Sequence, residues 1–317
     1  MNVEGQVVVI TGASSGIGRA TARAYARRGA RLVLASRSAP ALETVAEECR
    51  AHGVEVLVVP TDVTAEREVR ALAAAAAGEY GRIDVWVGNA GLFSYGGFEE
   101  TPAGVFREVV EANLMGQVHG ARAVLPYFRR QGSGALVLVG SLYSRVSSPL
   151  LAPYITSKWG MLGFAEVLRA ELRGSGIRVK VVLPSTIDTP IYQHAANVTR
   201  RAVHPMPPAS SPDRVARAIV RAPARRRFAT SVGLLQRIVV PVHRASPWAY
   251  DSLTRFVKKA IELRGEAPLS DGTVFRAPAE ASPVTGGWRS RTGRLLVVGA
   301  GVLLLTAGAA RRRAIRS

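Results

Sequence analysis

Tyr154 and Lys158 stand four residues apart in a stretch with helical spacing. An i,i+4 pair shares one helix face, so both side chains can project into the same cleft. A free tyrosine, with a pKa of about 10, is a poor acid or base at neutral pH. A neighbouring ammonium stabilises the phenolate and lowers that value. Tyr154 could then exchange a proton with a carbonyl or alcohol oxygen. Ser141 ends an apolar run and is separated from Tyr154 by twelve residues, so it could hydrogen-bond and position the same oxygen. Tyr-x-x-x-Lys is a weak signal by itself, and a surface helix can carry it by chance. Lys158 is, however, one of only four lysines among 42 basic residues.

A second chemical feature lies at the N-terminus. Thr11-Gly12-Ala13-Ser14-Ser15-Gly16-Ile17-Gly18 follows an apolar run and opens a helical pattern. Glycines there allow a tight turn and let the backbone approach a pyrophosphate at the positive end of a helix. The Gly-x-x-x-Gly-x-Gly spacing differs from G-x-G-x-x-G and from a P-loop, because no Gly-Lys-Ser/Thr follows.

Both features need a scaffold, and the hydrophobic pattern supplies one. Short β-branched runs at 6–11, 31–36, 54–60, 83–88, 134–140 and 177–183 are bounded by turn residues, as buried parallel strands are. Helical segments fall between them near 16–28, 40–52, 65–80, 102–130 and 154–174. This alternation predicts an α/β, Rossmann-like, doubly wound parallel sheet with helices on both faces. Ligands of such sheets bind beyond the carboxyl ends of the strands. A helix near 212–222 and a strand near 226–232 would complete a catalytic unit over residues 1–232, with 186–211 as a segment covering the substrate. Residues 233–290 read as a basic helical or linker extension, and 291–317 as an apolar, arginine-flanked tail.

Taken together, the ordered motifs resemble the short-chain dehydrogenase/reductase family over roughly residues 5–232. The family's Thr-Gly-x-x-x-Gly-x-Gly is matched in full at 11–18. The resemblance implies a nicotinamide cofactor on Gly12, Ser14, Ser15, Gly16, Ile17 and Gly18, and hydride transfer beside Tyr154, where the positive oxidised nicotinamide would join the ammonium in lowering the tyrosine's pKa. It places Asp62, with Val63, at the adenine amino group. Gly88-Asn89-Ala90-Gly91 is similar to the family's Asn-Asn-Ala-Gly, with Gly88 in place of the first asparagine. Asn113 matches an asparagine that holds a water in a proton relay from the lysine. Pro184-Ser185-Thr186-Ile187-Asp188-Thr189 is similar to Pro-Gly-x-x-x-Thr, so Pro184 and Thr189 would meet the nicotinamide, with Ser185 replacing the glycine. The implied catalytic set is Asn113, Ser141, Tyr154 and Lys158, with the last two also touching cofactor. The second strand run ends Leu34-Ala35-Ser36-Arg37 without the carboxylate that bonds an NAD ribose. Ser36 and Arg37 suit a 2′-phosphate instead, so NADP(H) is expected over NAD(H). The alternative to an enzyme is a regulatory or scaffold protein that binds cofactor without turnover. A complete Ser141, Tyr154 and Lys158 set argues against it.

Composition bounds the rest. The net charge of +19 is uneven: residues 1–190 carry 20 Lys+Arg against 17 Asp+Glu, and 191–317 carry 22 against 6. The basic region lacks a recognisable nucleic-acid fold or aromatic stacking platform, so no nucleic-acid partner is expected. The five histidines show no ligand spacing, and no metal is expected. Cys49 is the only cysteine, which excludes an internal disulfide and fits a reducing compartment. No signal peptide pattern opens the chain. Residues 295–310 carry no charge and are flanked by arginines. A helix of that length spans about 24 Å, short of the ~30 Å hydrocarbon core. It is a borderline anchor, with interfacial or soluble packing as alternatives. In residues 248–263, Leu253, Phe256, Val257, Ala260 and Ile261 form one helical stripe with Lys258 outside its centre. That stripe could face a membrane or pack on the protein. The expected partners are a small carbonyl or alcohol substrate, lipophilic if the tail is membrane-bound, and further copies of the chain as in many family members. The expected place is a membrane surface with the catalytic unit in the cytoplasm; a soluble cytoplasmic protein is the alternative.

Overall fold

A computed structural model describes residues 3–278 and 280–289. Strands β1 (Val7–Thr11), β2 (Arg31–Ser36), β3 (Val56–Pro60) and β4 (Val85–Gly88) alternate with helices α1 (Gly16–Ala26), α2 (Ala39–Arg50) and α3 (Glu66–Tyr80). Beyond a two-residue strand β5 (Ser94–Tyr95) come α4 (Ala103–Val110), α5 (Gly116–Gln131), β6 (Gly134–Val139), α6 (Ala152–Glu171) and β7 (Ile177–Pro184). The covering region holds β8 (Ala196–Asn197) and β9 (Arg201–Val203); α7 (Pro212–Arg221) and β10 (Ala229–Val232) complete the unit. The main sheet is parallel in the order β10-β7-β6-β4-β1-β2-β3. The order reverses beside β1, which opens a crevice at the carboxyl ends of β1 and β4.

The period of two explains why the strands read as continuous apolar runs. Along β1, Val8 and Ile10 join the layer that includes Tyr25, Leu42 and Ile219. Val7 and Val9 join the opposite layer with Leu72, Phe128 and Met161. Both faces are covered, so no position can be polar without cost.

One expected helix is interrupted. The stretch 102–130 contains a π-helical turn, Glu111–Met115, between α4 and α5. Such turns are frequent at functional sites, and this one carries Asn113.

The described residues after β10 pack back onto the sheet unit, with the last contacts at Trp288. Helices α8 (Gln236–Ala245) and α9 (Pro247–Val257) share an apolar cluster with the segment after β6 and Met206, and a π turn, Lys258–Glu262, leads into β11 (Leu263–Glu266). Leu235 and Tyr250 pack on Leu142 and Val146, and the Tyr250 hydroxyl donates to the Ser147 carbonyl at 2.7 Å. Strand β11 pairs antiparallel with β9. Further on, Pro283 and Ser282 accept bonds from Gly16 N at 3.3 Å and Arg19 Nη1 at 2.8 Å. Asp188 anchors the last described turn by accepting from Gly286 N and Trp288 N at 3.0 and 2.8 Å.

The stripe of 248–263 turns inward in large part: Leu253, Val257 and Ile261 line the central cavity. Lys258, expected outside the stripe, is buried. Among the described residues no helix is long and apolar enough to cross a membrane. The candidate anchor at 295–310 lies outside the described residues.

Candidate active site

The carboxyl ends of the strands open into one cavity of about 760 Å³. Gly12, Ser14, Ser15, Gly16 and Ile17 line it from the first turn. Ser36 and Arg37 enter from β2, Asp62 and Val63 from β3, and Asn89, Ala90 and Gly91 from β4. Ser141, Tyr154, Lys158, Pro184 and Thr189 complete the wall. Two expected residues lie behind it. Gly18 belongs to the turn's own packing, and Asn113 is fully buried.

The turn has the shape a pyrophosphate requires. Gly12 has φ of +65°, and a Cβ at Gly18 would fall 2.0 Å from the Gly12 carbonyl oxygen. Only the absence of side chains lets the chain fold so closely. Asn89 locks the crossing strands: its Nδ2 donates to the carbonyls of Thr11 and Gly12 at 3.0 and 3.1 Å. The Thr11 hydroxyl accepts from Asn89 N and Ala90 N at 3.0 and 3.2 Å. Asp62 uses Oδ1 on Thr64, accepting from its N and Oγ1 at 2.9 and 2.8 Å. Side chains at 12 or 18 would collide with Ala90 or the Gly12 carbonyl behind the turn, so the bare glycines keep the backbone of 12–17 on the cavity wall, where a dinucleotide would lie and where Gly16 N is held by the Pro283 carbonyl. Arg37 reaches across the cavity mouth, where Nη1 and Nη2 donate to the carbonyls of Val274 and Thr273 at 3.1 and 2.6 Å.

Tyr154 lies in an aromatic cage. Phe93 meets its ring edge-on at 4.4 Å and Tyr143 at 6.2 Å between centroids. Burial pushes its pKa up to about 12, against a smaller lowering by a hydrogen bond from the Ser141 hydroxyl. Desolvating the phenolate costs more than its one hydroxyl partner returns, so these protein groups alone do not give the lowering expected of the site. Lys158 lies 5.5 Å from the Tyr154 ring centroid and donates to the Val139 carbonyl at 3.2 Å. Burial drives its pKa down to about 8.

Asn113 uses its amide on protein groups. Its Oδ1 accepts from Leu92 N at 2.6 Å, and its Nδ2 donates to the Leu92 carbonyl and Ser157 Oγ at 3.0 and 3.1 Å. The side chain fastens the strand-end loop to α6, one residue from Lys158. This geometry places it as a support for the lysine's helix.

Two departures from the family pattern have partners that sequence reading missed. A Cβ at Gly88 would fall 1.9 Å from Gln117 Oε1. Gln117, on α5, occupies the space the absent side chain leaves, and its Nε2 donates to the Ala90 carbonyl at 3.3 Å. Ser185 is matched by Gly233, where a Cβ would fall 1.8 Å from Ser185 Oγ. The first match makes a prediction. Gly88→Asn overpacks the site and lowers unfolding stability by about 2 kcal/mol; Gly88→Asn with Gln117→Ala recovers most of it. Denaturant midpoints that are equal for the single and double variants would refute the exchange.

Residues 6–198 match the short chain dehydrogenase family. An uncharacterized oxidoreductase of Bacillus subtilis is 35% identical over 219 residues, 68% of this chain and 62% of that protein's length. A 2-(R)-hydroxypropyl-CoM dehydrogenase of Xanthobacter autotrophicus is 38% identical over 192 residues, 59% of this chain and 77% of that protein. Among solved structures, an alcohol dehydrogenase from Thermococcus sibiricus complexed with 5-hydroxy-NADP gives a TM-score of 0.64 at 30% identity, covering 72% of this chain and 96% of that one. A short chain dehydrogenase/reductase from Burkholderia phymatum in complex with NAD gives 0.68 at 29% identity, covering 85% and 99%. Fold, cavity and relatives define an oxidoreductase that uses a nicotinamide cofactor. The chain belongs to the short-chain dehydrogenase/reductase family.

Proposed function

We propose that the protein moves hydride between NADP(H) and a lipophilic ketone or aldehyde, or the matching secondary alcohol. The observation that carries this reading is the meeting of Ser141, Tyr154 and Lys158 in the same cavity as the dinucleotide cradle. A bound nicotinamide supplies or accepts the hydride. Ser141 donates a hydrogen bond to the substrate oxygen and holds it beside the phenol. Tyr154, protonated at neutral pH, gives its proton to that oxygen in reduction and takes it back in oxidation. Lys158, charged below about pH 8, steadies the phenolate left behind. Phe93, Leu142, Tyr192, Val239, Leu253 and Val257 line the rest of the cavity, which supports an apolar substrate. Arg37 supports NADP(H) over NAD(H), since no carboxylate stands at the end of β2.

Purified full chain, offered NADPH or NADH with a panel of aliphatic and aromatic ketones and aldehydes, tests the reading. No cofactor-dependent turnover of any carbonyl would overturn it. The pH profile adds a second check. Tyr154 stays in its donor form across the neutral range, so kcat/KM for reduction is flat below pH 8. It falls above pH 8 as Lys158 loses its charge. Lys158→Arg, charged at all these pH values, removes that fall. A profile unchanged by this substitution would take the lysine out of the mechanism.

A further inference from the structure

The cavity wall farthest along the aromatic row from Tyr154 contains a buried ion pair that the hydride-transfer mechanism does not use. Lys258 Nζ donates to Glu262 Oε2 at 2.8 Å, and the two side chains are 4% and 3% exposed. Both residues line the cavity, on the π turn that follows α9. Tyr95 completes the group. Its hydroxyl donates to Glu262 Oε2 at 3.2 Å, and its ring lies 4.8 Å from Lys258 Nζ. The surrounding wall is apolar, with Leu253, Val257 and Ile261 beside the pair.

A buried ion pair is a poor way to gain stability, because desolvating both charges offsets most of their attraction. Here its hydrogen-bonding groups are incompletely used. An ammonium has three N–H donors, and Lys258 makes one hydrogen bond among the described residues. Tyr95 and Lys258 both bond Oε2, so Oε1 has no hydrogen-bond partner among the described residues. The pair therefore offers the cavity donors from the ammonium and an acceptor from the carboxylate, with no net charge. An anionic group would meet Glu262 as well as Lys258, and a cation the reverse. A neutral group that both donates and accepts satisfies both. A hydroxyl is the simplest such group.

From these contacts we infer that Lys258 and Glu262 form a second substrate subsite that recognises a hydroxyl group remote from the reacting carbon. The inference rests on the cavity being the carbonyl-reducing site. The spacing is set by a row of rings: Tyr154 to Phe93 at 4.4 Å, Phe93 to Tyr95 at 5.1 Å, and Tyr95 to the Lys258 ammonium at 4.8 Å. The substrate class is then an apolar hydroxy-ketone or diol, with an aliphatic or aromatic body long enough to follow that row. Its hydroxyl accepts from Lys258 Nζ and donates to Glu262 Oε1, while its carbonyl oxygen meets Ser141 and Tyr154.

The test compares decan-2-one with 10-hydroxydecan-2-one, using NADPH and the full chain. The terminal hydroxyl raises kcat/KM by about tenfold or more, since a site built to hydrogen-bond a hydroxyl discriminates against the analogue without one. Breaking only half of a buried pair strands a charge, so Lys258→Met with Glu262→Leu is the informative variant. It retains turnover of decan-2-one and loses the preference. A preference that survives in this variant assigns the hydroxyl to other residues and overturns the subsite. Calorimetry on Tyr154→Phe with NADP+ gives a reading independent of turnover: decane-1,9-diol binds about tenfold tighter than decan-2-ol. Tighter diol binding without turnover of either ketone by the unsubstituted chain keeps the subsite and rejects the catalytic reading. Reduction of decan-2-one without any gain from either hydroxylated probe rejects the subsite alone. Absence of tighter diol binding likewise overturns it.

Discussion

Tyr154→Phe lowers kcat/KM for carbonyl reduction by about 10² to 10⁴-fold, the range expected when a general acid is removed. The substitution deletes one oxygen and leaves the ring. The edge-on packing with Phe93 and Tyr143 therefore persists, and the protein still folds. Cofactor affinity changes little, because the turn at 11–18 and the β4 end supply most of the cradle. Steady-state rates with NADPH, alongside a fluorescence titration of NADPH binding, separate the two effects. If binding is retained and the rate is also retained, the proton comes from another group. If both are lost, Tyr154 supports the cradle itself.

Arg37→Ala has the next largest expected effect. It raises the KM for NADPH by about 10 to 100-fold, the worth of one charge-assisted bond to a phosphate, and moves that for NADH by less than about twofold. The NADH arm matters because Arg37 has a second set of partners. It also holds the carbonyls of Thr273 and Val274. Loosening that segment disturbs both cofactors equally, whereas loss of a 2′-phosphate ligand disturbs only NADPH. Equal shifts in the two Michaelis constants would remove the argument for NADP(H) and leave Arg37 as a clasp for the segment crossing the cavity.

The second role of Arg37 marks where the sequence stops being readable. The strands were legible because the runs of β1, β2, β4 and β6 are buried on both faces, which leaves little room for alternation with polar residues. The glycine turn was legible because its spacing is local, and the Tyr154/Lys158 pair because one helical turn sets it. The partners of Gly88 and Ser185 were not legible. Gln117 and Gly233 lie 29 and 48 positions away, and neither has a distinctive local pattern. The π turn at Asn113 escaped for a related reason. Its winding is selected by bonds from Asn113 to Leu92 and Ser157, across the fold, and the residues around it read as ordinary helix.

The Tyr154/Lys158 pair was legible as a juxtaposition, but the protein's own contribution to its electrostatics was not. Sequence spacing shows which ionisable groups are neighbours, but a pKa also depends on how much water they have lost. Phe93, Tyr143 and the lid over the cavity remove that water from Tyr154. They push the phenol up to about 12, whereas the fall expected from the sequence counted the ammonium together with the positive charge of an oxidised nicotinamide. Lys258 shows the same limit in reverse. Its place outside the centre of an apolar stripe did not show that the π turn carries it into the cavity beside Glu262.

Sequence by itself determined the doubly wound sheet, the order of its motifs and which side chains are candidates to react. Each of these follows from residue type, periodicity and short-range spacing. Tertiary structure alone decided how far those side chains are desolvated and which distant residues fill the gaps left by family departures. It also decided that residues 235–262 and 273–278, with Glu280 and Ser282, return to wall the cavity. These are contacts between segments remote in the chain, made by long-range packing that no local pattern encodes.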